Sequence, residues 1–78
     1  MTMYVNHETM RDIRKGLLVQ MHEYISFHIA DEDAYERWIS IVPDEPTEED
    51  LEFIADDDEL WTMACTTFGK LVKRYEVR

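Results

Sequence analysis

The residues whose types could do chemistry are three histidines, one cysteine and a dense run of carboxylates. His22-Glu23 opens like the zinc-protease helix HExxH, in which two histidines one turn apart hold the metal and the glutamate activates water. The second histidine belongs at position 26, where Ser26 stands. His28 is six residues from His22, a spacing that puts the two on different faces of a helix. The ordinary reading, an exposed His22 and a partly buried His28, is therefore preferred. Asp56-Asp57-Asp58-Glu59 has the acid density of a calcium loop, but an EF-hand needs a glycine at its sixth position and Trp61 stands there. Helix capping and surface charge account for these acids instead. Cys65 sits between Ala64 and Thr66, with no base beside it to form a thiolate, so a buried structural thiol is expected. Two glycines in the whole chain leave no phosphate-cradling loop, and no Ser-His-Asp arrangement is visible. No enzymatic activity, cofactor or metal is expected.

What remains is charge. Residues 31–59 hold fourteen acids and one base, Arg37, for a net charge of -13. Residues 1–30 sum to zero and residues 60–78 to +3, giving -10 overall. Such a field repels nucleic acid and anionic lipid and attracts basic protein surfaces. Direct nucleic-acid binding is not expected. The bland reading is a solvated face that keeps a small domain soluble, for which a net charge of about 2–8 suffices. The functional reading is a surface that imitates nucleic acid. An acid at every second helical residue gives about one charge per 3 Å, close to the ~3.4 Å of a DNA strand.

Seventy-eight residues make one domain, 1–78. It buries only about 60–65% of its unfolded surface and is stable by roughly 3–5 kcal/mol. Hydrophobic residues are 45% of the chain, more than a disordered acidic tail carries. The start, MTMYVNHETMRD, has no signal-peptide pattern, no apolar run approaches a membrane span, and a lone cysteine fits a reducing compartment. A cytoplasmic, non-membrane protein is expected.

Helical periodicity supplies the elements that must carry this charge. Met10, Ile13, Leu17, Met21, Tyr24, Ile25 and His28 define helix 1 over 6–29, capped by Asn6. Alternation from Met21 to Ile29 leaves a strand or a helix break there as the rival. Tyr35, Trp38, Ile39 and Val42 give helix 2 over 33–42, with Asp33 and Glu36 at capping-box spacing and Pro43 ending it. A short strand over Trp38–Val42 is the rival there. Thr47 and Asp50 start helix 3 over 47–55, with Leu51, Ile54 and Ala55 as its stripe and Phe53 off it. Asp56 and Glu59 repeat the spacing before helix 4, 57–75, whose stripe is Trp61, Ala64, Phe68, Leu71, Val72 and Tyr75. The expected fold is all-α: a bundle of about four helices, two long and two short. The two long stripes should pack on each other, aided by close approach at Gly16 and Gly69, and both tryptophans should fill the core.

The stretch WISIVPDEPTEEDLEFIADDDELW, with the size and charge of the chain, resembles the small acidic accessory proteins of bacteriophages and mobile elements. Some of these, the anti-CRISPR and DNA-mimic proteins, occupy nucleic-acid grooves of host nucleases. The resemblance implies an inhibitor or modulator that binds a basic, nucleic-acid-binding protein such as a nuclease. It assigns no residue. The residues themselves point to Asp44, Glu45, Glu48, Glu49, Glu52, Asp56, Asp57 and Asp58 as contact charges, with Phe53 as the apolar anchor. The competing expectation is a small structural protein that self-associates through its long-helix stripes, the acids serving solubility.

Overall fold

A computed structural model describes residues 7–75. They form four helices: α1 (His7–His28), α2 (Glu32–Ile39), α3 (Glu48–Asp56) and α4 (Asp58–Tyr75). No strand occurs among the described residues, so the period of 3.6 prevails at both ambiguous stretches. The expected cap Asn6 lies outside the described residues, as does the side chain of Tyr75.

Each short helix is started by a side chain that satisfies an otherwise unpaired amide of its first turn. Asp31 caps α2 by accepting from the Ala34 amide at 3.1 Å. This displaces the cap expected at Asp33 by two residues. Thr47 and Asp50 form the full reciprocal capping box of α3, at 3.1 and 3.0 Å. Asp57 accepts from the Leu60 amide at 3.0 Å and starts α4, in place of the expected Asp56. α2 ends at Ile39, earlier than expected. The Ile41 and Val42 amides still bond the Trp38 carbonyl, both at 3.0 Å, so the chain keeps turning up to the bend before Pro43.

The core gathers around Trp38, which is fully buried. Leu18 and Ile25 reach it from α1, Ile29 from the α1–α2 loop, Ala34 from α2, Val42 from the α2–α3 loop, Leu51, Ile54 and Ala55 from α3, and Ala64 and Leu71 from α4. Phe68 stands edge-on to the Trp38 ring, with centroids 6.1 Å apart.

Two expectations about α1 are corrected here. Its buried positions are Leu18 and Ile25, followed by Ile29 just past its end, whereas Met10, Ile13 and Leu17 of the predicted stripe are exposed. Accordingly, α1 makes its largest contact with α3 and a smaller one with α4. Turning Leu18 inward also turns Arg11, Arg14 and Lys15 toward the acidic segment. The glycines do not mediate a close approach either. A Cβ at Gly16 or Gly69 would meet nothing within 4 Å.

Candidate protein-binding surface

The acidic segment is divided by α1 into an inner row and an outer set. Glu48, Glu52 and Asp56 recur every four residues and so line one side of α3. Arg11 and Lys15 recur every four residues on α1, which runs antiparallel to it. Lys15 Nζ lies 2.5 Å from Glu48 and 3.2 Å from Glu52, and Arg11 lies 3.4 Å from Asp56. The two carboxylates, led by the Glu48 hydrogen bond, hold the Lys15 ammonium above its ordinary pKa. Arg14 lies 2.9 Å from Asp58, donates to the Ala55 carbonyl at 3.0 Å, and stacks 5.2 Å above the Trp61 ring. The Ala55 contact places a cation at the C-terminal, electronegative end of α3.

Asp44 is engaged from two sides. The Tyr35 hydroxyl donates to its carboxylate, and His22 bonds its backbone carbonyl at 2.9 Å. The Asp44 hydrogen bond also pushes the Tyr35 phenol above its usual pKa. Asp57 is used as a cap. Of the nine residues singled out from the sequence, six therefore hold intramolecular partners: Asp44, Glu48, Glu52, Asp56, Asp57 and Asp58.

Glu45, Glu49 and Phe53 form the outer set. Both glutamates are exposed and have no ion pair among the described residues. Phe53 is 68% exposed, as its departure from the α3 stripe predicts. It borders a groove of about 310 Å³ floored by Ile41, Pro43, Ile54, Leu60 and Met63. Asp50 lies on its edge, and Asp58 and Glu59 line the adjoining recess beside Met63. The arrangement is an apolar slot rimmed with carboxylates. The slot was not foreseen, because Ile41 and Met63 come together only through the fold.

A basic recess was also missed. Arg37, the single base of the acidic segment, joins Lys70, Lys73 and Arg74 around Leu71. The helical spacing of Lys70, Lys73 and Arg74 was visible in the sequence, but the packing of α2 on α4 was not.

The chemistry-bearing residues have structural roles. His22 is half-buried and His28 exposed, the reverse of the expectation. The Trp38 indole N–H donates to His22 Nδ1 at 2.9 Å. A carbonyl only accepts, so Nε2 carries the proton given to Asp44, and the ring is the neutral tautomer. Cys65 is partly buried, and desolvation pushes its thiol above its ordinary pKa, with Arg14 opposing weakly. No group of three or more His, Cys, Asp or Glu among the described residues is placed to hold a metal ion. No helix of the described residues is long and apolar enough to cross a membrane.

Comparison with protein-family models, curated proteins and solved structures found no match.

Proposed function

We propose that the protein is a non-catalytic, cytoplasmic binding protein that occupies a basic, nucleic-acid-binding surface of a partner such as a nuclease. It acts as an inhibitor or modulator in the manner of DNA mimics, the class of phage-borne anti-defence proteins that its acidic stretch resembles. The observation that carries this reading is Phe53. A phenylalanine left 68% exposed beside an apolar groove edged by Asp50, with Glu49 one turn before it on α3 and Glu45 exposed in the preceding loop, both without an ion pair among the described residues, has the make-up of an interface centre. The glutamates steer a basic surface in, and Phe53 and Met63 provide the apolar contact that holds it.

The inner row takes a secondary part. Glu48, Glu52, Asp56 and Asp58 already face cations of α1, so their contribution to a partner requires exchanging one cation for another. Exposed ion pairs hold weakly in water, so the exchange is cheap, but it adds little. Contact therefore centres on Glu45, Glu49 and Phe53.

The test uses purified DNA nucleases titrated with the protein at about 50 mM and about 300 mM salt. Binding to at least one should weaken at high salt and be competed by duplex DNA. The triple variant E45K/E49K/F53A should bind at least about tenfold more weakly while keeping its helical circular dichroism. Binding that survives high salt, duplex DNA and the triple variant sinks the proposal, as does failure of every nuclease to bind at low salt.

A further inference from the structure

A second surface, remote from the acidic row, carries an inference independent of that reading. Met10, Ile13, Leu17, Gln20, Tyr24 and Phe27 follow one another at steps of three, four, three, four and three. This is the heptad seam by which one helix packs lengthwise on another. None of the six is charged, in a chain that is 33% charged. Met10 is 41% exposed, Ile13 54%, Leu17 42% and Phe27 81%, while Tyr24 is half-buried. Inside the molecule α1 uses a different side, the one bearing Leu18 and Ile25. The seam continues sideways into a groove of about 380 Å³ between α1 and α4, floored by Met21, Trp61, Cys65 and Phe68.

We infer that this face pairs with a second copy of the chain, α1 against α1, to form a two-fold dimer. Three observations favour a second copy over another partner. The first is charge. Glu48, Glu52, Asp56 and Asp58 face the Arg11, Arg14 and Lys15 side of α1, so a two-fold axis through the seam brings uncharged surfaces together and holds the two α3 rows apart. A basic partner has nothing to pair with here. The second is self-complementarity. In an antiparallel pair centred between Leu17 and Gln20, Met10 lies opposite Phe27 of the second copy, Ile13 opposite Tyr24, and Leu17 opposite Gln20. Glu23 then falls beside Gly16 of the second copy, so no acid faces an acid. Gly16 has open space above it and lets the helices close. Antiparallel helices also align their dipoles favourably. The third is area. From Thr9 to His28 the face is about 30 Å long, and with the edge of α4 about two helix diameters wide. This footprint of roughly 600 Å² approaches the ~800 Å² per partner of a standard interface.

Gln20 is the one strongly polar residue of the seam. A polar side chain at such a position fixes register at a cost in affinity. The dimer is therefore reversible, and its two copies repel through their net charge of -10 each.

Sedimentation equilibrium on the full chain, from about 5 to 500 μM, tests this. The wild type should show a monomer–dimer equilibrium that tightens between about 50 and 500 mM salt, as screening relieves the repulsion. This is opposite in sign to the salt response of the nuclease complex, so each idea can fail alone. Leu17→Lys should weaken the dimer at least about a hundredfold, since the two-fold axis repeats the loss in both copies. Its circular dichroism should be unchanged, because the site is exposed. Gln20→Leu should tighten the dimer by about tenfold or more. F53A should leave it unaffected. A chain that stays monomeric at 500 μM in high salt overturns the inference. So does a dimer that Leu17→Lys leaves intact.

Discussion

Replacing His22 by alanine should cost this domain a large part of its stability, for a reason unrelated to metal binding. Trp38 is fully buried, and its indole N–H donates to His22 Nδ1. Alanine leaves that donor without its partner inside the core, which costs about 1–3 kcal/mol. The Asp44 carbonyl released on the other side of the ring is on the surface, where water replaces the bond, so that end adds little. Against a total of roughly 3–5 kcal/mol, the loss from the Trp38 end alone decides whether most molecules stay folded on mild warming. Urea unfolding monitored by circular dichroism measures the stability. Should the variant be too unstable for a full curve, the indole N–H resonance of Trp38 gives a second readout. It should exchange slowly with solvent in the wild type and quickly in His22→Ala. A denaturation midpoint and an indole exchange rate both close to wild type would show that the His22–Trp38 bond contributes nothing.

Further outcomes follow from burial and from the shifted groups. Leu18→Ala should cost about 2–5 kcal/mol and Leu17→Ala less than about 1 kcal/mol, by urea unfolding, although the residues are adjacent. The Tyr35 phenol has a folded pKa above its unfolded value near 10, because its neutral form donates to Asp44. That contribution is complete below pH 10 and is lost as pH rises through the folded value. Tyr35→Phe should abolish this part of the alkaline loss in a pH series of melting temperatures. Burial raises the Cys65 thiol, so alkylation of the native protein at pH 8 should run slower than that of a free cysteine and approach it in urea. Lys15→Ala releases Glu48 and Glu52 together, so it should tighten any basic partner at low salt while leaving the Leu17-centred dimer unchanged.

The four helices were legible because their signals are local. Thr47 with Asp50, Pro43 after Val42, and the stripes of α3 and α4 act within one or two turns. The two short caps at Asp31 and Asp57 were misplaced because three or four neighbouring carboxylates compete for each start, and only the packed helix selects one. The side of α1 that faces inward was not legible. Two apolar rows run along that helix, through Leu17 and through Leu18, and hydrophobic periodicity fits either. The Leu18 row is the one that also brings Arg11 and Lys15 to Glu48, Glu52 and Asp56. The clue was present in matching four-residue spacings, but the partners are some forty residues apart. Phe53 was legible because it leaves a stripe that its own helix defines.

The same pairing changes what the acidic run implies. A charge of -13 within 29 residues calls for counter-charge, and the chain itself supplies part of it from α1. The density of acids alone is therefore weaker support for a basic partner than the bare sequence suggests. What an internal salt bridge does not explain is the outer set. Phe53 is 68% exposed and could have been polar at no cost to the core. Leaving an aromatic exposed beside an apolar slot lowers solubility and adds no stability. The case for a basic partner rests on that local combination, and the case for a second copy rests on the row through Leu17 that the fold left on the surface.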